Sequence, residues 1–440
     1  MKLHVLRPWR PGRGEWNRAA VYHLARRAGF GAGRAELDRL LAGGVSDAVD
    51  RFLSDDAPDA RLLAGAAALL PQGEIDALAA WWMSLILSGK APLRERIALL
   101  WHDHFATSFA KVKDVRMMHR QNTLFRERGL GDFRELLHAV ATDPAMLIWL
   151  DGDANRAGTP NENFAREVME LFALGIGNYT ERDIQESARA LTGWGTEGRS
   201  FRYRAPDHDG GTKTIFGERG TFGGEEAIDL ILAQPACPRH IARRLLEEFV
   251  APNPRKEWVE ETAELLVSED WSIGRTVEVI LRSELFFSPQ ARRSRIAGPI
   301  ELVATTIRTL GARVPARLAL EAAMRMGQIP FQPPSVKGWD GMKTWINAGA
   351  WVARHNALWR LARAHVEDTD EVHLDLRDSL GSPKSNEDAT RFALELLTPD
   401  LVDGAFAEAV RESVRSAPSL DEALTGATAL VLTAPEYHLI

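Results

Sequence analysis

Apolar residues recur every three or four positions in many segments of this chain, the spacing that places them on one face of an α-helix. Proline near the first turn and glycine just past the last turn mark the ends of several of these segments. The patterns predict a mostly α protein, a large multi-helix globular bundle. The segments are residues 16–30, 74–89, 91–109, 132–140, 223–234, 238–250, 257–269 and 298–311.

Only one region has the pattern of β-strands. The segments SFRYR (200–204) and TKTIFG (212–217) flank the turn-rich sequence APDHDGG. This arrangement predicts one small β-hairpin near 200–217. Because an isolated hairpin is barely stable in water, we expect it to pack on the helices.

The segment 367–390 is acidic and is interrupted by serine, proline and glycine. Such a composition is typical of an exposed connection. We therefore predict a main helical domain at 1–366, an exposed connection at 367–390 and a small C-terminal helical appendage at 391–440 that contributes nothing to a site.

The composition narrows the class of protein. With 440 residues and 45% hydrophobic content, the chain can bury a large core. Its net charge of −7 comes from 54 basic and 61 acidic residues in mixed order, which argues against nucleic-acid binding. A single cysteine excludes an internal disulfide. No apolar run is long enough to span a membrane and no export signal is recognisable, so we expect a soluble, cytoplasmic protein.

The stretch PNENFAREVMELFALG (160–175) combines a helix start with an unusual number of polar groups. Asn161 or Asn163 is expected to cap the helix. Beyond the cap, Arg166, Glu167 and Glu170 share the face opposite the apolar one. Either this face is solvated, with an Arg166–Glu170 ion pair, or Glu167 and Glu170 point into a polar cleft, where they could bind a cation or exchange protons.

The next helix leads into the glycine-rich strand region. Thr180 and Asp183 are spaced as a capping box. Arg189 and Trp194 then run towards the HDGG turn, which exposes His208 and Asp209 beside flexible backbone. Such a turn suits ligand contact and equally suits a local Asx turn.

Two further regions have candidate site residues. In WHDHF (101–105), the two histidines lie on opposite sides of a continuous helix and cannot bind one ion together. His104 falls on the apolar stripe and is predicted to be a core histidine, whereas His102 is the better site candidate. The stretch 327–356, rich in proline, glycine and tryptophan, is either a packed wrap or a binding wall, and its Lys337 could pair with a carboxylate. The common metalloprotease, zinc-ribbon, hydrolase and nucleotide-binding motifs do not occur.

Several stretches resemble a known bacterial family, the domain of unknown function family 1800. The resemblance covers about residues 20–360. It rests on YHLARRAGFGA (22–32), RERIALLWHDHFAT (94–107), FRELLHAVATDPAMLIWLDG (133–152), PNENFAREVMELFALGIGNYTERDIQESARALTGW (160–194), HDGGTKTIFG (208–217), RHIARRLLEEFV (239–250) and GQIPFQPPSVKGW (327–339). The resemblance implies no settled reaction. Family members often resemble exported proteins and are commonly encoded beside family 1501, which is similar to phosphatase- and sulfatase-type hydrolases.

This chain departs from the family pattern at IAGPIE (296–301), where relatives have a Lys-Ser-Pro-like run. The family's motif residues carry over elsewhere, and their polar character favours the cleft interpretation of the 160–170 face. They are Arg26, Arg27, His102, His104, Asn161, Glu162, Asn163, Arg166, Glu167, Glu170, Thr192, Trp194, His208, Asp209, Lys213, His240, Lys337 and Trp339.

Two hypotheses follow. The first is an enzyme whose polar cleft performs hydrolytic or other acid–base chemistry; its cofactor is unknown, and carboxylates with imidazoles would suit a divalent metal. The predicted catalytic residues are Glu167, Glu170, His208, Asp209 and Arg166. The predicted ligand-binding residues are Asn161, Asn163, Arg189, Trp194, Lys213, Lys337 and Trp339. The predicted metal ligands are His102, His208, His240, Glu167 and Glu170.

The alternative is a non-catalytic helical scaffold or partner protein. It would use the tryptophan-rich stretch 327–351 to hold another protein or a glycan, and a sulfatase/phosphatase-like protein of family 1501 is the predicted partner. Gathering of the ionisable groups in one concave site would favour the enzyme. Their dispersal into local salt bridges would favour the scaffold.

Overall fold

The computed structural model describes residues 4–54, 59–364 and 371–440. Helices make up 62% of the structure, which confirms the predicted mostly α fold. The first eleven α-helices are α1 (Arg18–Arg27), α2 (Arg34–Leu53), α3 (Ala60–Leu69), α4 (Ile75–Ser88), α5 (Pro92–His104), α6 (Phe109–Val112), α7 (Val115–Arg128), α8 (Phe133–Ala141), α9 (Pro144–Trp149), α10 (Asn163–Glu167) and α11 (Glu181–Ala190).

The remaining helices follow the β region. The α-helices are α12 (Gly224–Leu232), α13 (Ala236–Phe249), α14 (Lys256–Ser268), α15 (Ile273–Arg282), α16 (Pro299–Leu310), α17 (Ala316–Arg325), α18 (Ala348–Arg363), α19 (Leu376–Ser379), α20 (Asn386–Leu397), α21 (Ala405–Val414) and α22 (Leu420–Thr433). Short 3₁₀ turns occur at Leu70–Gln72, Gly152–Ala154, Ala205–Asp207, Met342–Ile346, Pro399–Leu401 and Pro435–His438. Helix α10 continues as a π-helix at Val168–Ala173.

The β structure consists of two small antiparallel hairpins. Strand β1 (Trp194–Glu197) pairs with β2 (Ser200–Tyr203), and β3 (Lys213–Ile215) pairs with β4 (Glu218–Gly220). The predicted strands at 200–204 and 212–217 therefore both form, but they do not pair with each other. Two-residue turns explain the difference. Gly198 has a positive φ of 60°, and Phe216 and Gly217 have positive φ of 49° and 84°, conformations that reverse a strand immediately.

A continuous set of buried apolar side chains extends through the chain, from Leu6 to Ile440. The helices after residue 390 join it, because α22 packs on both α18 and α20. The Arg26 guanidinium in α1 donates to the carbonyls of Tyr437 and Leu439 at 3.1 and 2.9 Å. Residues 437–440 are therefore bound to the first helix.

The predicted connection at 367–390 begins in a segment, 367–370, that lies outside the described residues. From 371 onward, exposed positions alternate with the buried side chains of Leu374, Leu376 and Leu380. The division into 1–366, 367–390 and 391–440 stays a prediction. Within the described ranges, no helix is both long enough and apolar enough to cross a lipid bilayer.

Candidate functional site

The predicted polar helix start is held by asparagine side chains. The Asn161 Oδ1 accepts the backbone N–H of Asn163 at 3.0 Å, and the Asn163 side chain donates to the Leu150 carbonyl at 3.2 Å. The N-cap of α10 is Glu162, whose side chain makes no capping hydrogen bond, so the prediction of Asn161 or Asn163 as the cap is wrong. Both asparagines use their side chains to order the helix entry.

Arg166 is engaged in ion pairs on the surface of α10. Its guanidinium contacts Glu181 at 2.7 Å and Glu162 at 3.0 Å. The ion pair with Glu170 that one interpretation predicted is not formed, because Glu181 at the start of α11 lies within reach. These contacts join the starts of two neighbouring helices.

Glu167 and Glu170 lie half-buried at the junction of α10 and the π-helix. Glu170 accepts a hydrogen bond from the Tyr179 hydroxyl at 2.8 Å. Burial raises the pKa of Glu167, and the nearby Glu170 carboxylate raises it further. The two carboxyls are therefore neighbours, as their spacing predicts.

Two histidines bind the carbonyl end of this π-helix. The Nε2 of His240 donates to the Leu171 carbonyl and the Nε2 of His104 to the Phe172 carbonyl, both at 2.9 Å. Burial lowers the pKa of both imidazoles, to about 4 for His240. Each is therefore a neutral donor to a helix end that lacks backbone partners. This confirms the predicted core role of His104 and gives His240 a structural contact.

The HDGG turn is tied to the end of α11. Arg189 pairs with Asp209 at 2.7 Å, and Asp209 accepts the Gly211 N–H at 2.8 Å, which closes an Asx turn. Lys213 donates to the backbone carbonyls of Asp209 and Gly211. The His208 Nδ1 lies 3.0 Å from the Thr192 carbonyl.

Trp194 is buried beneath α12, where a side chain on Gly224 would collide with its ring. Beside Trp194, the structure brings Arg189, His208, Asp209 and Lys213 together in the HDGG turn, where hydrogen bonds and one ion pair hold them. The predicted residues of α10 form a separate group, with their own hydrogen bonds and ion pairs.

The five predicted metal ligands are not brought together. The described residues contain no group of three or more His, Cys, Asp or Glu side chains that could hold a metal ion. The Nε2 of His102 accepts the Phe331 N–H at 2.9 Å, and burial lowers the pKa of this imidazole to about 3. His102 thus holds the backbone of the segment after α17. The predicted metal site stays a prediction.

A polar cleft of about 320 Å³ lies beside His102, and part of its lining falls in the predicted stretch 327–356. One side is formed by α5, α13 and the start of α16, and the other by residues 327–347, which we call the wall segment. The lining residues are Arg96, Leu99, Leu100, Asp103, Arg244, Glu247, Glu248, Pro252, Asn253, Arg295, Ile296, Gly298, Glu301, Gln328, Trp339, Asp340, Gly341, Met342 and Trp345. Of the two predicted wall residues, Trp339 lines the cleft, whereas Lys337 is exposed and pairs with Asp340 at 2.7 Å.

Asp103 is the central carboxyl of this cleft. Its Oδ1 accepts the Trp339 N–H at 2.9 Å, and its Oδ2 lies 3.1 Å from the Arg244 guanidinium. Gly338, with a φ of +82°, permits this approach, because a Cβ there would lie 2.4 Å from the carboxylate. Burial raises the pKa of Asp103, although Arg244 acts in the opposite direction.

An internal ion network closes the deep side of the cleft. Arg96 contacts Glu248 at 3.0 Å and also binds Glu301. Arg295 contacts the same two glutamates at 2.8 and 2.5 Å. Burial alone would raise the pKa of Glu301, but Arg295 and Arg96 hold it below its ordinary value. Two carboxylates thus neutralise two buried guanidinium groups.

A larger groove, of about 860 Å³, lies between α17 and α18. Its lining is mainly aliphatic, with Val303, Leu318 and Leu361 among its side chains. Ala364 and Glu371 also line it. The polar cleft is the better candidate for chemistry, because its ionisable side chains converge on one enclosed space.

A family model described as Protein of unknown function (DUF1800) matches residues 23–439. The chain belongs to this family. The match covers more of the chain than the predicted 20–360, and the bacterial origin stays a prediction. No match was found among curated proteins or among solved structures.

In this DUF1800 chain, several cleft residues were missed by the sequence analysis. Asp103 stands between the two histidines of WHDHF, and only those histidines were predicted as candidates. The signal that could have identified Asp103 is an acidic residue inside an apolar helix. Arg244, Glu248, Arg295 and Glu301 had no such signal, because each looks like an ordinary charge on a helix or loop.

Replacing Glu301 by glutamine is expected to lower the free energy of unfolding by about 3–5 kcal/mol, because Arg96 and Arg295 would remain buried with one carboxylate too few. Chemical denaturation measures the change. The matched control is Glu321→Gln, since Glu321 pairs with Arg325 on an exposed face at 2.6 Å. That variant should change stability by about 0.5 kcal/mol or less. Equal effects in the two variants would contradict the role of the network.

Acid is expected to destabilise the protein through its buried histidines. An imidazole of ordinary pKa 6.5 takes up a proton in the unfolded chain, whereas folded His102 does so only near pH 3 and His240 near pH 4. Below pH 6.5 the unfolded state therefore binds more protons, and the free energy of unfolding falls as the pH decreases towards those values. Each pKa unit corresponds to roughly 1.4 kcal/mol.

The measurement is unfolding by denaturant at several pH values between 7 and 4, for the wild type and for His102→Asn. The variant should be less stable at neutral pH but should lose less stability on acidification. His355→Gln is the control, because that side chain is exposed. An unchanged pH dependence in His102→Asn would contradict this account.

Proposed function

We propose that this chain is an enzyme whose polar cleft performs hydrolytic or other acid–base chemistry, with Asp103 as the group that gives and takes the proton. The observation that carries the proposal is the position of Asp103, whose carboxylate reaches the cleft between one guanidinium and one backbone N–H. Its side chain is 28% exposed, so a ligand in the cleft can reach it.

The electrostatics support this role. A general acid works best when its pKa lies near the working pH, and burial shifts the pKa of Asp103 upward from its ordinary value. Ionisable groups with shifted pKa values in a concave site are typical of catalytic centres. The earlier assignment of catalysis to Glu167, Glu170, Arg166, His208 and Asp209 stays a prediction.

Asp103→Asn is expected to lower kcat by about 100-fold or more, because the amide cannot transfer the proton. The purified full-length protein is assayed with chromogenic esters, phosphate esters, sulfate esters and glycosides. The control is Asp50→Asn, since Asp50 forms an ion pair with Arg282 on the surface. The pH profile of Asp103→Glu should move relative to the wild type. Absence of turnover in every substrate class, or full activity in Asp103→Asn, would overturn the proposal.

The second candidate is a non-catalytic partner of a sulfatase/phosphatase-like protein of family 1501. It is favoured by the local pairing of the predicted site residues, since Arg166 binds Glu162 and Glu181, and Arg189 binds Asp209. Such dispersal into neighbouring ion pairs is what a scaffold would show. The predicted cytoplasmic location and the expected lack of nucleic-acid binding remain predictions.

Titration calorimetry with a purified family 1501 protein tests this candidate. Binding should weaken in Ile346→Asp, because Ile346 is an exposed apolar side chain in the tryptophan-rich stretch at 40% exposure. The control is Ile176→Asp, which alters an exposed apolar side chain elsewhere in the chain. If no heat of binding is observed with the wild type, the scaffold candidate is rejected.

A further inference from the structure

We infer that the cleft takes a glycoside, and that Asp103 and Glu247 are the two carboxyl groups that act on its glycosidic bond. This inference rests on the proposed function and names its substrate class. Four features of the cleft carry it: the pairing of these carboxyls, the chemistry of the lining, its charge balance and its unpartnered donors.

One guanidinium holds both carboxyls. Arg244 contacts Asp103 through Nη2 at 3.1 Å and Glu247 through Nη1 at 3.2 Å. Because the two terminal nitrogens of one planar group bind them, the two carboxyls lie near each other in the lining of the cleft. Each side chain is 28% exposed. Glycoside hydrolases that use direct displacement by water have a pair of carboxyl groups about 6.5 to 9.5 Å apart.

The lining contains the groups for this reaction and lacks those for several others. Among the described residues that line the cleft there is no serine, threonine, cysteine, tyrosine, histidine or lysine. Hydrolysis of esters usually relies on an activated hydroxyl or thiol with a neighbouring base. Glycoside hydrolysis needs only two carboxyl groups and water.

The charge of the lining favours an uncharged substrate. Three arginines, Arg96, Arg244 and Arg295, face five carboxyl side chains around the same space. Lys337 pairs with one of these carboxyls, Asp340, and Asp103 carries a proton in the inferred reaction, so the lining has no excess of positive charge to bind a phosphate or sulfate ester. A neutral sugar needs no such excess and can accept hydrogen bonds from the arginines.

Two polar groups in the wall are unpartnered donors. Gln328 is 7% exposed and Trp345 is 8% exposed, and both line the cleft. The Gln328 Oε1 accepts the Ile300 N–H at 3.0 Å. Its amide N–H₂ and the Trp345 indole N–H donate to no residue that the structure describes. Neither nitrogen is fully buried, so water in the cleft accepts from it in the free protein, and the hydroxyls of a sugar would replace that water. The rings of Trp339 and Trp345 add apolar surface for a sugar face.

In the reaction, Asp103 gives its proton to the glycosidic oxygen as the bond from that oxygen to the anomeric carbon breaks. The oxygen of a water molecule forms the new bond to the anomeric carbon, and Glu247 accepts the proton that the water loses. The products are a sugar hemiacetal and an alcohol or a second sugar. Exchange of one proton with solvent returns both carboxyls to their starting states.

The test compares disaccharides with dinitrophenyl glycosides, as α and β anomers of the common pyranoses. A dinitrophenolate can leave without being protonated, whereas a sugar alkoxide must be protonated as it leaves. Asp103→Asn should therefore lose about 100-fold or more in kcat on the disaccharide and far less on the dinitrophenyl glycoside. A residue with a merely structural role would lower both rates equally. Glu247→Gln should lose activity on both substrates.

Glu260→Gln is the matched control, because Glu260 pairs with Arg239 outside the cleft at 2.7 Å. Glu247→Asp, which keeps the charge, serves as a second variant if Glu247→Gln does not fold. Hydrolysis of another class that depends on Asp103, without any glycoside hydrolysis, would overturn this inference and leave the proposed function standing. No hydrolysis of any class would overturn both. Glycoside hydrolysis that both Glu247 variants retain in full would overturn the assignment of Glu247.

Discussion

The position of Arg96 is the constraint on which the cleft depends. From the middle of α5, this buried guanidinium donates to the carbonyls of Arg26 and Arg27 at the end of α1, at 2.9 and 3.0 Å. It also binds Glu248 of α13 and Glu301 of α16. A cation at the carbonyl end of a helix is favourable, and the two carboxylates compensate the cost of its burial. One side chain therefore fixes four helices, and the polar cleft lies where their charged groups meet.

Histidines organise the other side of α5 in a similar way. The wall segment is held through Phe331, whose N–H donates to His102 and whose carbonyl accepts from Phe109 at 2.8 Å. On the opposite face, His104 reaches the π-helix. The motif WHDHF thus places three side chains in three directions: one towards the wall, one into the cleft and one into the core. The two histidines project to opposite sides of α5, which excludes joint binding of a metal. The same projection lets α5 contact both the wall segment and the π-helix.

The helical pattern predicted most of the fold because each amphipathic segment carries its own periodic signal. Strands form at both predicted places, 200–204 and 212–217, but each pairs with a strand that was not predicted, since turn conformation at Gly198 and Phe216 decided the pairing. The cleft could not be predicted in this way. Asp103 meets Arg244 across 141 positions, and Arg96 meets Glu301 across 205. Such contacts depend on how helices pack, which local sequence does not encode. The family motif did indicate His102 and Trp339, which lie beside the cleft.

The ion pairs of the cleft differ in how far the surrounding protein satisfies their charges. In a buried pair such as Arg96 with Glu301, each charge compensates the other. These pairs contribute by fixing the arrangement of the helices. Asp103 and Glu247 are each 28% exposed and share the Arg244 guanidinium, whose Nε is buried without a hydrogen-bond partner among the described residues, so the fold satisfies this group only in part. The Gln328 amide nitrogen and the Trp345 indole nitrogen are not fully buried, so water accepts their hydrogen bonds in the free protein. A polyhydroxylated ligand would replace that water, because its hydroxyls accept from the wall while the inferred carboxyl pair acts on its glycosidic bond.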